Sequence, residues 1–221
     1  MPLSLFDLDN TLLSHDSDYL WGQFLVDEGI VDRAQYEEKN RQFFEDYEQG
    51  RLDIDRYLRF ALAPLARFEP TQLEAWRARF VDSIIRPVIA PGATGLLEKH
   101  RARGDVLMII SATNLFITEP IAELLGVPHI LATRPEKRDG RYTGNYVGQP
   151  TFREGKVKAL DDWLQEHDMD LEGSYFYSDS QNDLPLLERV DHPVAVNPDP
   201  QLQAIATQRG WPVLDLRQQP A

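Results

Sequence analysis

Apolar and polar positions recur along this chain with two different periods, and the changes of period divide it. Residues 2–6 read as a short apolar strand that runs straight into Asp7. From about Asp16 to Ile85 no strand pattern appears, and apolar residues recur at the spacing of helix faces. Leu20, Trp21, Phe24 and Leu25 form one stripe, closed by Gly29. Tyr36, Phe43, Phe44 and Tyr47 form a second, interrupted by the charged "EEKNR" and closed by Gly50. Ile54, Tyr57, Leu58, Ala61, Leu62 and Leu65 form a third; Leu73, Trp76, Phe80, Val81 and Ile84 form a fourth. Four amphipathic helices of this length can make a small bundle of their own.

After "RPVIAPGATG" helices and strands alternate. A helix is expected from near Gly92 to Gly104, then a strand over "DVLMIIS", apolar on both faces as central parallel strands tend to be. "LFITEPIAELLG" reads as a helix with Pro120 near its first turn, and "HILATR" as a strand. The Asp139-Gly140 pair in "KRDGRYTGNYVG" marks a β-hairpin. A helix from Gly155 to His167, the strand "SYFYS", a helix from Leu184 to Arg189 and the strand "PVAVN" complete the reading. This alternation predicts an α/β fold with a doubly wound, Rossmann-like parallel sheet. Residues 1–14 and 88–221 would form that core, with residues 15–87 inserted as a helical-bundle cap and a small β-hairpin added.

Composition narrows the function. The 36 acids outnumber the 23 bases among 221 residues, a net charge of −13. Such a chain is repelled by phosphate backbones and anionic lipid, so neither nucleic acid nor membrane is an expected partner. The chain has no cysteine, which removes disulfides, thiolate catalysis and cysteine-ligated zinc. No basic start followed by an apolar stretch marks a signal peptide, and the longest apolar runs fall far short of the ~20 residues of a membrane span. A soluble, cytoplasmic protein is expected. The five histidines show no metal-ligand spacing, and neither a glycine-rich nucleotide fingerprint nor a Walker loop is present.

In open α/β sheets ligands sit at the carboxyl ends of the strands. There this sequence puts Asp7, Ser111 and Asp179, with Lys156 at a helix start between the last two. Each has an ordinary reading: Asp9 and Ser111 can cap helices, "SDSQNDLPLL" can be an acidic turn, and Lys156 can be a surface lysine. Capping alone does not explain Asp-x-Asp in one loop, Asp-x-x-x-Asp in another and a lone serine in a third. The residue types suit phosphoryl transfer. Carboxylate oxygens suit Mg²⁺, which relieves their repulsion and offsets a phosphate's charge, and a carboxylate can be the nucleophile.

"DLDNT", "SAT", "GK" and "SDSQNDLPLL", in that order, resemble the motifs of the haloacid dehalogenase (HAD) superfamily of phosphohydrolases. The helical insertion after the first motif and the hairpin "KRDGRYTGNYVGQPTFREGK" look like the subclass of phosphoserine and histidinol-phosphate phosphatases. That resemblance implies Asp7 as nucleophile and Asp9 as general acid and base. Ser111, Lys156 and Asn182 would hold the phosphoryl group, and Asp7, the Asp9 carbonyl, Asp179 and Asp183 would hold Mg²⁺. Phosphoserine phosphatases usually carry glycines where this chain has Ser178 and Ser180, and after the serine of the second motif, where it has Ala112, Thr113 and Asn114.

The same resemblance sets a substrate-reading acid nine residues past the nucleophile; here it is Asp16, flanked by His15 and Asp18. An amine-bearing phosphate monoester of a small metabolite fits, although Asp16 can equally cap a helix. Phosphoserine also needs a cation for its carboxylate, for which Arg51, Arg56 and Arg59 are candidates. Histidinol phosphate has the amine without the carboxylate and can be read by acids and by aromatics such as Trp21, Phe24 and Phe43. It is the expected substrate, with phosphoserine or another amino-alcohol phosphate as alternative. A phosphotransferase on the same scaffold is a further alternative. A signalling receiver shares these residue types but is disfavoured by the cap and by Asp9.

Overall fold

The computed structural model describes residues 1–218. Strand β1 (Leu3–Phe6) is buried throughout and lies inside a seven-stranded sheet. Beside it lie β2 (Val106–Asn114), then β3 (His129–Arg138) and β4 (Arg141–Val147). On its other side lie β5 (Tyr175–Ser178), β6 (His192–Val196) and β7 (Val213–Leu214). All neighbours pair parallel except β3 and β4, whose antiparallel turn puts Asp139 and Gly140 at φ of 49° and 79°. Positive φ at both turn residues is what the Asp-Gly pair supplies.

The period of two within each strand sorts side chains to two cores. Leu3, Leu5, Met108, Ile110, Phe176 and Ala195 meet helices α7 (Glu154–His167), α8 (Leu184–Leu187) and α9 (Pro200–Arg209). Phe6, Leu107, Ile109, Tyr177 and Val194 meet α5 (Ala93–Arg103) and α6 (Leu115–Leu125). The sheet is doubly wound. Strand order reverses direction at β1 and β5, where such sheets leave a crevice at their carboxyl ends.

Between β1 and α5 come α1 (Ser17–Asp27), α2 (Arg33–Glu48), α3 (Ile54–Leu62) and α4 (Pro70–Phe80). Asp16, Asp32 and Asp53 cap the first three, each accepting from a backbone N–H of the first turn. Trp21 stacks on Phe24 and meets Phe80 edge-on, and Trp21 meets Phe116 of α6 at 5.6 Å between ring centroids. The entering and leaving chains run side by side: Ser14 N–H donates to Val88 O at 2.8 Å and Ala90 N–H to Leu12 O at 2.9 Å.

The structure differs from the sequence reading in several elements. β2 runs on past Ser111 to Asn114, and α6 starts at Leu115 as expected, but Pro120 lies inside the helix rather than in its first turn. A proline there withholds the N–H that the Phe116 carbonyl would receive, and Arg77 of α4 donates to that oxygen instead, at 3.1 Å. The fourth apolar stripe ends as α helix at Phe80 and continues as tighter and wider turns to Val88. α8 stops at Leu187, and α9 and β7 are additional.

Candidate active site

Asp7 follows β1 by one residue, and its N–H still donates to Tyr177 O at 2.8 Å, so the sheet ladder fixes its backbone. The next residues turn back sharply, with Asn10 at φ 55° and Leu13 N–H closing on Leu8 O at 2.9 Å. Asp9 thereby comes beside Asp7, both buried. Its carboxylate accepts from Ser17 N–H at 2.7 Å, Thr113 Oγ1 at 2.8 Å and, weakly, Ser111 Oγ at 3.5 Å.

Lys156 enters from the first turn of α7, buried, with Nζ 2.6 Å from Asp7 Oδ1 and 2.8 Å from Asp183 Oδ2. Gly155 makes that approach available: a Cβ there would fall 1.9 Å from the Pro150 carbonyl oxygen. Asp183 also accepts from Ser178 Oγ at 2.7 Å, and Asp179 from Thr11 Oγ1 at 3.4 Å. Asp7, Asp9, Ser111, Lys156, Asp179 and Asp183 therefore gather from four separate segments.

The charges do not balance. Four buried carboxylates surround one ammonium. Burial pushes Asp7 up to about 7, against the pull of Lys156 and with the help of Asp183 and Asp9. Burial also raises Asp9, and raises Asp179 well above the usual carboxylate range with Asp7 and Asp183 adding to it. Burial works against the charge of Lys156 too, but Asp183 and Asp7 more than offset it and hold the lysine above its ordinary value. The surplus negative charge and the all-oxygen donors suit a hard divalent cation. Among the described residues no three His, Cys, Asp or Glu side chains form a ready-made cage. A magnesium site asks for none, since it takes one or two carboxylates and fills the rest with water and phosphate oxygen.

Above these groups the helices close a cavity of about 40 Å³. Asp16, Asp18, Tyr19, Asn40, Phe43 and Tyr57 are among its walls, and among the described residues no lysine or arginine lines it. Asp16 both caps α1, accepting from Tyr19 N–H at 2.7 Å, and faces the cavity. Burial, then the neighbouring Asp9, raises Asp16 well above the usual range; burial brings Asp18 to about 7 although Tyr57 donates to it at 2.5 Å.

Other expected substrate contacts are not brought together. His15 is exposed, because an extended step into the cap residue turns neighbouring side chains to opposite sides. Arg51 is exposed and pairs with Asp46 at 3.3 Å; Arg56 and Arg59 line a different cavity. Trp21 and Phe24 are spent on packing against Phe80, leaving Phe43 at the cavity. Asn182 neither lines the cavity nor bonds Lys156. It accepts from Arg153 at 3.0 Å and donates to Tyr47 O at 3.3 Å, tying the end of α2 to the core. The sequence reading missed Thr113, Ser17, Tyr57 and Arg153. Thr113 had a signal: two residues past Ser111 on an extended strand, it faces the same side.

The family profile described as haloacid dehalogenase-like hydrolase matches residues 5–188. The chain belongs to that family, and within it the chain is a phosphatase. It is 47% identical over 219 residues to a protein of Neisseria meningitidis serogroup C (strain 8013) named histidinol-phosphatase, covering 97% of this chain and 99% of that one. A solved protein of unknown function from Bordetella pertussis Tohama I is 46% identical, with a TM-score of 0.92 over 97% of this chain and 98% of that one. A phosphoserine phosphatase solved as a phospho-aspartyl intermediate analogue shares the fold, with a TM-score of 0.71 at 21% identity, over 97% of this chain and 93% of that one.

Proposed function

We propose that the chain hydrolyses histidinol phosphate through a phosphorylated Asp7. The carboxylate of Asp7 attacks phosphorus as the bond to the alcohol oxygen breaks, and the proton held by Asp9 passes to that oxygen. In the second step Asp9 takes a proton from water. The water oxygen attacks phosphorus, the bond to Asp7 breaks, and inorganic phosphate leaves. The raised position of Asp9 favours the proton it needs at the first step, and its bonds from Ser17 and Thr113 aim it. Ser111 and Lys156 hold the phosphoryl oxygens, and Lys156 also fixes Asp7. Mg²⁺ would be held by Asp7, Asp179, Asp183 and the Asp9 carbonyl, and when bound it offsets the carboxylates' surplus charge and polarises the phosphate.

The observation that carries the substrate choice is the cavity wall: acids and aromatics with no cation. Asp16 and Asp18 favour an amine, Phe43 and Tyr57 an aromatic ring, and among the described residues no cation of that wall would pair with a carboxylate. This favours histidinol phosphate over phosphoserine. The similarity to a protein named histidinol-phosphatase supports the same reading. A cavity of about 40 Å³ holds little more than water. Residues 15–87 therefore act as a cap that opens to admit substrate and then excludes water. The enzyme works in the cytoplasm, in amino-acid biosynthesis; among the described residues no helix is long and apolar enough to cross a membrane. Phosphate release from histidinol phosphate, O-phosphoserine, phosphoethanolamine and sugar phosphates, with Mg²⁺ and beside an Asp7→Asn protein, tests this. A kcat/KM for histidinol phosphate orders of magnitude above the rest supports it, and a preference for phosphoserine overturns it.

A further inference from the structure

α2, α3 and the turn at 63–67 line a second, open cavity of about 470 Å³. Its floor is aromatic, with Tyr36 and Phe43 each against Phe60 at 4.5 and 5.2 Å between ring centroids. Its rim carries Lys39, Arg56, Arg59 and Arg67 against one acid, Asp32. Asp32 is already engaged, accepting from Gln35 N–H at the start of α2. Among the described residues none of these four cations has a carboxylate within 4.0 Å, whereas most lysines and arginines of the chain do. In a chain of net charge −13, gathering four cations beside a single acid runs against the overall balance. Like charges at such helical spacing repel, and an anion between them turns that cost into attraction.

We propose that this cavity is a second binding site, for a small aromatic or heteroaromatic molecule carrying phosphate or carboxylate groups. Its volume lies in the ~300–1,000 Å³ range of small-molecule sites. Arginine forks pair with phosphate and carboxylate oxygens, and the phenyl and phenol floor receives a flat ring. None of the candidate catalytic carboxylates lines it. The two cavities share one residue, Phe43. Phe43 packs edge-on against Tyr57 at 5.4 Å, and Tyr57 holds Asp18 in the catalytic cavity. An occupant that displaces Phe43 thus reaches the substrate wall, so the site regulates substrate affinity and substrate affects it reciprocally.

The test is titration calorimetry of the whole chain with ADP in chelator, with inorganic phosphate as the control that lacks a ring. Wild type is compared with the Arg59→Glu, Arg67→Glu double variant, whose side chains make no hydrogen bond among the described residues. Equal melting temperatures verify that both are folded. Lys39→Glu, on the opposite helix, gives an independent second variant. The expected result is saturable ADP binding that weakens by about tenfold or more in both variants, with inorganic phosphate, which lacks the ring, binding more weakly than ADP in the wild type. Wild-type KM for the phosphatase substrate should also shift with ADP, and the shift should vanish in the double variant. ADP binding that does not saturate, or that is equal in wild type and both variants, overturns the proposal.

Discussion

Arg77 of α4 donates to the carbonyl oxygen of Phe116 at 3.1 Å, at the one place in α6 where Pro120 supplies no amide. Its guanidinium also sits over the Phe116 ring, 4.8 Å from the centroid. One side chain from the inserted helices thus completes a helix of the core. Arg77→Ala should cost about 1–2 kcal/mol, since it leaves a carbonyl oxygen unsatisfied and removes a cation–π contact. Pro120→Ala restores the N–H, so the same arginine substitution should cost less in that background. Urea unfolding of the four proteins checks it; additive effects would show that Arg77 does not serve this carbonyl.

Asp9 owes part of its position to Thr113, whose hydroxyl donates to it at 2.8 Å. That bond favours the ionised form, so Thr113→Val should raise Asp9 further. The expected result is a kcat reduced by about tenfold, corresponding to ~1.4 kcal/mol. The alkaline limb of the kcat/KM profile should also move to higher pH. An unchanged profile would remove Thr113 from the account.

Asp16 has two roles that one substitution separates. Asn caps helices about as well as Asp but carries no charge. Asp16→Asn should therefore keep the melting temperature near wild type while raising KM for histidinol phosphate by about ten- to a hundredfold, the ~1.5–3 kcal/mol of a charge-assisted bond. Asp16→Ala should lose stability as well. Equal KM in wild type and Asp16→Asn would assign Asp16 to capping alone.

Stability of the metal-free protein should fall as pH rises. Burial holds Asp18 and Asp7 up at about 7, against 3.8 ordinarily. Between those values the folded chain keeps protons that the unfolded chain has lost, so stability declines through that window at up to ~1.4 kcal/mol per pH unit for each group. Above about pH 7 the loss is complete. Melting curves in chelator should drop by several degrees from pH 5 to pH 8, and Mg²⁺ at pH 8 should recover the part of the drop that Asp7 contributes. A flat or rising curve would contradict it.

How legible the site was depended on how local each placement is. Asp7, Ser111 and Asp179 could be singled out because the residues that close an apolar strand pattern are written next to it, and Lys156 because it stands at the start of the next helical pattern and in the "GK" of the family resemblance. Arg153, Tyr57 and the Arg77–Phe116 bond depend on which helices face which strands, and no local pattern encodes that. Pro120 was misjudged because the Phe116 carbonyl that it leaves unserved is bonded instead by Arg77, 39 residues before Phe116. Trp21 and Phe24 looked the same as Phe43 in the pattern; only packing separates the two that fill the core from the one at the cavity. Asn182 shows the same limit, since its partners Arg153 and Tyr47 lie in distant segments.

The central claim is that Asp7 carries the phosphoryl group. Protein quenched in acid during turnover of histidinol phosphate, then digested and analysed by mass spectrometry, tests it most directly. One added phosphoryl group is expected on the peptide containing Asp7, at the Asp7 carboxylate, with neither label nor turnover in Asp7→Asn. Label on another residue, or turnover by Asp7→Asn at the wild-type rate, would contradict it.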